Sequence, residues 1–222
     1  DAGDGVVRLT AHGIGGHASL PAGTRNAIGM LVDYLLSNGL ASEQERTFLD
    51  LLAKVFSSTD GSTLGIDATD DLFDPLTCIG GTIHLVDGHL EQTIDSRYPK
   101  SITGSEIAER LSALAEDHRA AFVLGSDAVP FYIDPANPAV SALVDAYNEF
   151  TGKQAKPFTI GGGTYARHFK NAVSFGPEEP GEPVPDWVGP MHGADEGVSE
   201  ELLKRSLKIY IYALQKLMGL QL

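Results

Sequence analysis

Apolar positions along the chain repeat with two periods, and the change from one to the other marks the elements. From Asn26 to Asn38, Ala27, Leu31, Tyr34 and Leu35 share a stripe at helical spacing, and Gly39 supplies the stop. Ser42-Glu43-Gln44-Glu45 forms a capping box ahead of a second helix whose apolar face is Phe48, Leu49, Leu52, Val55 and Phe56. Residues 57–75 are polar, acidic and glycine-containing, and read mostly as surface loop with at most one short strand. Between Cys78 and Tyr98 the period shortens to two. Asp87-Gly88 is a type I′ turn signal there, so Ile83, Leu85, Leu90 and Ile94 share one face while Thr82, His84, His89, Glu91, Thr93, Asp95 and Arg97 share the other. Solvation explains that polar face; Arg97, at its far end, could instead serve a cleft.

A second capping box, Thr103-Gly104-Ser105-Glu106, opens a helix carrying Ile107, Leu111 and Leu114. Val6 to Ala11, Phe122 to Leu124 and Val129 to Ile133 have extended patterns. Asn137 then caps a helix with Pro138 at its first position, and a domain boundary is expected near here. Beyond it the pattern runs helix (Val140, Leu143, Val144, Tyr147), strand (Pro157 to Ile160), glycine turn, short helix (Thr164 to Phe169), strand (Ala172 to Phe175). A proline- and glycine-rich loop covers Gly176 to Gly193. The last helix, Ser199 to Met218, is expected to bury Leu203, Leu207, Tyr210, Ile211, Leu214 and Leu217 against a sheet. The fold class is therefore α/β: a strand-and-helix domain over residues 1–133, then half of an α/β domain over 134–222.

Composition narrows the partners. Thirty acidic against sixteen basic residues give a net charge of −14, which repels phosphate backbones and argues against nucleic acid. The apolar run Ile209 to Leu214 is far too short to span a bilayer, and no export signal opens the chain, so no membrane partner is expected. Cys78 is the single cysteine and excludes an internal disulfide, which suits the cytoplasm. The chain begins at Asp1 rather than methionine, as a piece of a longer protein would.

Candidate chemistry gathers at glycine loops. Gly13-Ile14-Gly15-Gly16-His17-Ala18 follows an expected strand and formally fits a dinucleotide fingerprint, but Pro21 and Gly23 delay the helix that such a motif needs. A Ser/His hydrolase would use Ser19 or Ser174, yet the chain holds no G-x-S-x-G elbow. Metal chemistry would centre on His192, which carboxylates follow closely, without the second and third ligands zinc requires.

Several blocks taken together are more specific. Gly15-Gly16-His17-Ala18-Ser19-Leu20-Pro21 with Gly23 and Asn26, Ser96-Arg97-Tyr98-Pro99, Ile160-Gly161-Gly162-Gly163-Thr164-Tyr165-Ala166-Arg167, Phe175-Gly176-Pro177, and His192 with Asp195-Glu196 occur in one order over nearly the whole chain. This set resembles the dinuclear-zinc dipeptidase, aminoacylase and carboxypeptidase G family, and within it the bacterial dipeptidases. The resemblance implies an α+β lid with an antiparallel sheet (1–133) and part of an α/β zinc-peptidase catalytic domain (134–222). It implies that His17 donates to the scissile carbonyl oxygen and that Arg97 binds the free carboxylate of a dipeptide. Gly162, Gly163 and Thr164 would offer donors to substrate, and His192 would ligate one of two zinc ions, with manganese as the alternative metal. The family's H-x-D pair, glutamate pair and other ligands find no match. The expected partner is therefore an N-terminal catalytic segment of the same protein, and the chain alone is expected to be inactive. An amidohydrolase acting on N-acyl amino acids and a non-catalytic peptide-binding or dimerisation module remain alternatives.

Overall fold

Asn26 starts the first helix because its carboxamide oxygen accepts the N–H groups of Ile28 (2.9 Å) and Gly29 (3.4 Å), two donors that α1 (Ala27–Ser37) would otherwise leave unmet. The same side chain donates through Nδ2 to the carbonyl of Gly80 at 2.8 Å, tying the helix start to a strand. α2 (Glu43–Ser57) and α3 (Gly104–Asp117) each open on the expected capping box, complete in both directions. The capping hydroxyl of Ser42 and then its backbone N–H hold the Glu45 carboxyl below the ordinary range, and Thr103 does the same for Glu106. The computed structural model describes residues 3, 5–176, 183–189 and 194–220. They fall into two units, Asp1–Pro130 and Phe131–Leu222, with a mixed α/β content of five helices and one two-stranded sheet among the described residues.

In the first unit, β1 (Thr77–Val86) and β2 (His89–Arg97) form an antiparallel hairpin. Asp87 (φ 48°) and Gly88 (φ 83°) both take the left-handed conformation that a two-residue type I′ turn demands. The expected faces hold, with one addition: between Gly80 and Ile83 the register shifts, so that Gly81 and Thr82 together oppose Thr93, whose hydroxyl accepts the Thr82 N–H at 2.8 Å. The bulge reverses parity on β1, putting Cys78 and Gly80 on the same face as Ile83 and Leu85. Only the base of that face is buried. Cys78 is 1% exposed, whereas Leu85 at the tip is 71% exposed.

The core joins α2, α3 and the hairpin base through Val55, Leu64, Ile66, Leu76, Cys78, Ile102, Ile107 and Leu111. Phe56 lies between α1 and β1, where Gly29 and Gly80 leave room for it: a Cβ on Gly29 would come within 2.8 Å of the Phe56 Cβ. The expected surface loop over 57–75 proves to supply core, and it contains a 3-10 turn (Ser62–Leu64) in place of a strand. Gly61 (φ 76°) is the cause. It brings the backbone so close that a Cβ would stand 2.7 Å from Ile66 Cγ1 and 2.9 Å from Leu76 Cδ2, and Ile66 is fully buried beneath it. Asp60 braces the turn by accepting the hydroxyl and N–H of Ser62, which together lower its carboxyl.

The second unit contains α4 (Pro138–Thr151), a 3-10 turn (Tyr165–His168) and α5 (Glu200–Met218). Asn137 caps α4 with Pro138 first, as expected, and Gly152 (φ 71°) ends it. α5 departs from expectation: its buried residues are Ser206, Ile209 and Ala213, packed on α4, whose own buried positions are Val140, Ala142 and Ala146. Leu203, Leu207, Ile211 and Leu214 face outward. Small residues on both helices let the backbones approach, and α4 is the neighbour that does so. Tyr210 adds a bond of 2.9 Å to the Phe175 carbonyl and an edge-to-face contact with its ring.

The segments expected to be strands at 6–11, 122–124, 129–133, 157–160 and 172–175 are not strands among the described residues. A strand needs a ladder partner as well as an extended preference, and the hairpin pairs only with itself. An isolated parallel bridge joins Gly189 and Glu196 in the second unit. No helix among the described residues is long and apolar enough to cross a membrane.

Candidate active site

The His17 loop is closed by its own backbone. Ile14 and Arg25 exchange two hydrogen bonds of 2.9 Å, and a Cβ on Gly13 would collide with the Arg25 carbonyl. Inside this closure the Leu20 N–H donates to the His17 carbonyl at 2.9 Å, and Thr24 Oγ1 donates to the Pro21 carbonyl at 2.7 Å. Asn26 then fastens the loop exit to Gly80. α1 begins only at Ala27, so no helix N-terminus meets the glycines as a dinucleotide fingerprint requires.

This frame fixes the chemistry of the half-buried imidazole. The Ser19 N–H donates to His17 Nδ1 at 3.2 Å, and Ser19 Oγ lies 2.8 Å from the same nitrogen. A backbone N–H only donates, so Nδ1 is the acceptor and the neutral ring carries its proton on Nε2. The loop thus holds a ring N–H donor. It also weakens the case for Ser19 as a nucleophile, because the lone pair that would take its proton is already shared with Ser19's own N–H. Ser174 is exposed in a stretch without regular structure.

Arg97 ends β2, paired across the hairpin with Thr77. Its guanidinium is held by Asp95, Nε to Oδ1 at 2.7 Å and Nη2 to Oδ2 at 2.9 Å. Cys78, on the opposite face, is pushed up to about 12 by burial and then by the Asp95 charge, so it stays a thiol at neutral pH and is a packing residue.

In the second unit, Gly162 and Gly163 precede Thr164, which leads into the 3-10 turn with its side chain making no capping bond. A Cβ would meet nothing nearer than 3.9 Å at Gly162 and 3.5 Å at Gly163, so the fold itself tolerates side chains at both. His192 lies outside the described residues. Among the described residues no group of three or more His, Cys, Asp or Glu side chains could hold a metal ion, so they do not by themselves fit a zinc site. The structure brings His17 and Arg97 into one unit and adds two residues to which sequence reasoning assigned no such part, Ser19 on the imidazole and Asp95 on the guanidinium. The signal for both is the same: a polar partner two residues away.

Sequence comparison supplies relatives over almost the whole chain. It is 32% identical over 218 residues to the "Putative dipeptidase YtjP" of Bacillus subtilis, a match covering 96% of this chain and 45% of the relative. A "Putative dipeptidase" of Staphylococcus epidermidis is 29% identical over 215 residues, and one of Staphylococcus aureus strain USA300 is 28% identical over 214, with the same coverage. The chain therefore spans a little under half the length of the relatives it matches. No protein-family model matches it.

Proposed function

We propose that this chain is part of a metallo-dipeptidase that hydrolyses the peptide bond of dipeptides bearing a free C-terminal carboxylate. The observation that carries the reading is the bond from the Ser19 N–H to His17 Nδ1, which puts the ring proton on Nε2, the nitrogen that would donate to a carbonyl oxygen gaining negative charge. The names of the relatives support the reaction class. In this reading Arg97 binds the substrate carboxylate, and the backbone of Gly162 and Gly163 with the Thr164 hydroxyl orients the peptide. Residues 1–133 act as the lid and 134–222 as part of the catalytic domain. The metal, zinc or manganese, would be held by His192 and by groups outside this chain, and the single buried thiol suits a cytoplasmic enzyme.

The partner in this proposal is an N-terminal catalytic segment of the same protein. Two features support it: the relatives are more than twice as long as their match to this chain, and α5 carries an apolar stripe, Leu203, Leu207, Ile211 and Leu214, with no cover among the described residues. Alanylalanine hydrolysis by this chain with added zinc or manganese tests the division of labour. Turnover is expected only when the N-terminal segment is joined or added. Robust turnover by the chain alone would refute it, and cleavage of N-acetylalanine in preference to alanylalanine would assign the enzyme to the amidohydrolases instead.

A further inference from the structure

Asp95 and Arg97 stand two apart on β2 and project from the same face, opposite Ile79 and Thr77 of β1. Their contact is a two-point fork in which Nε and Nη2 of Arg97 donate to the two carboxylate oxygens at 2.7 and 2.9 Å. A guanidinium offers a carboxylate two matching edges, the side edge Nε/Nη2 and the end edge Nη1/Nη2. Asp95 fills the side edge, and Nη1 of the end edge makes no hydrogen bond or ion pair among the described residues. The side chains are 36% and 42% exposed, and an ion pair so open to water adds little to stability. What the fork does achieve is to fix the plane and direction of a long side chain that otherwise has many rotamers.

We infer that Asp95 is the positioning residue for Arg97: it aims the end edge of the guanidinium at the terminal carboxylate of the peptide and so sets the preference for a free C-terminus. The inference rests on the reading of Arg97 as the carboxylate binder. One guanidinium then joins two carboxylates in a single plane, Asp95 on its side edge and the ligand on its end edge. Ordering of the arginine precedes binding, so the ligand does not bear that cost. A terminal amide, with one acceptor oxygen and an NH2 group facing donors, fits the end edge poorly.

Alanylalanine and alanylalanine amide, titrated into the chain and its Asp95→Asn and Arg97→Ala variants, are the probes. The Arg97 Nε–H resonance in ¹⁵N–¹H spectra reports on the fork, and the remaining resonances report on folding. In Asp95→Asn the Nε–H signal should shift and exchange faster, and alanylalanine should bind about fivefold more weakly while the amide is unaffected. A structural defect would weaken both ligands equally and overturn the inference. If Arg97→Ala weakens alanylalanine and Asp95→Asn does not, Asp95 has no positioning role although Arg97 keeps its own. If alanylalanine binding is absent from the parent chain or indifferent to Arg97→Ala, the reading of Arg97 itself fails.

Discussion

Ile66 sits in an irregular, polar stretch of the first unit and is 0% exposed, whereas Leu207 sits mid-helix in the second unit and is 60% exposed. The first unit has three elements converging on one cluster, so even a loop residue finds apolar neighbours on every side. The second has a helix pair, and a helix pair can cover only one stripe of each member. Periodicity states which residues share a face. Whether that face is buried depends on what else is present to pack against it.

The contrast breaks first at Ile66. Truncation to alanine should cost about 3 kcal/mol of stability in chemical denaturation, since its neighbours close around it and leave a cavity. A cost below about 1 kcal/mol would mean that the 57–75 segment is not core. In the second unit Ala146, which is fully buried against α5, is the corresponding test from the opposite direction: Ala146→Leu should overpack the helix pair and cost about 2 kcal/mol. Asn26→Ala should cost about 1 kcal/mol as a lost cap, and hydrogen exchange at Ile28 and Gly29 should rise with it.

Acid provides a graded version of the comparison. Glu45, Asp60, Asp70 and Glu106 in the first unit, and Glu149 in the second, are all held below their ordinary values. At Asp70 desolvation acts upward, but the N–H groups of Phe73, Leu72 and Lys100 outweigh it; at Glu149 the bonds from Lys216 and Tyr212 are responsible. A carboxyl depressed in the folded state stabilises above its unfolded value, and that contribution is lost as pH falls through the folded one. Stability should therefore decline below about pH 4, and by more in the first unit, which holds four of these five carboxyls, as followed by amide exchange. The smallest effect belongs to Leu207→Ser, expected to stay within about 0.5 kcal/mol in this chain. A loss above about 2 kcal/mol would show that the α5 stripe is covered.

What the sequence made legible were the features that close over short distances. Asn26, Ser42 with Glu45, Thr103 with Glu106, and Asn137 before Pro138 all cap where their spacing requires, and Asp87-Gly88 makes its turn. Features that need a distant partner were not legible: the segments at 6–11 and 172–175 lack ladders, and α5 turned its small residues inward because α4 presents small residues to it. In the candidate site, the polar face and its terminal Arg97 were readable from alternation. The roles of Ser19 and Asp95 were not, because a spacing of two is equally common between residues that ignore one another. Only the distances separate those cases.

The central claim is that His17 acts on the peptide carbonyl through a nitrogen whose proton Ser19 fixes in place. His17→Ala, assayed on alanylalanine together with metal content in the complete enzyme, tests it most directly. The expected result is a fall in kcat of about a hundredfold with metal content unchanged. An unchanged kcat, or loss of metal in proportion to activity, would contradict it and return His17 to a structural role in its loop.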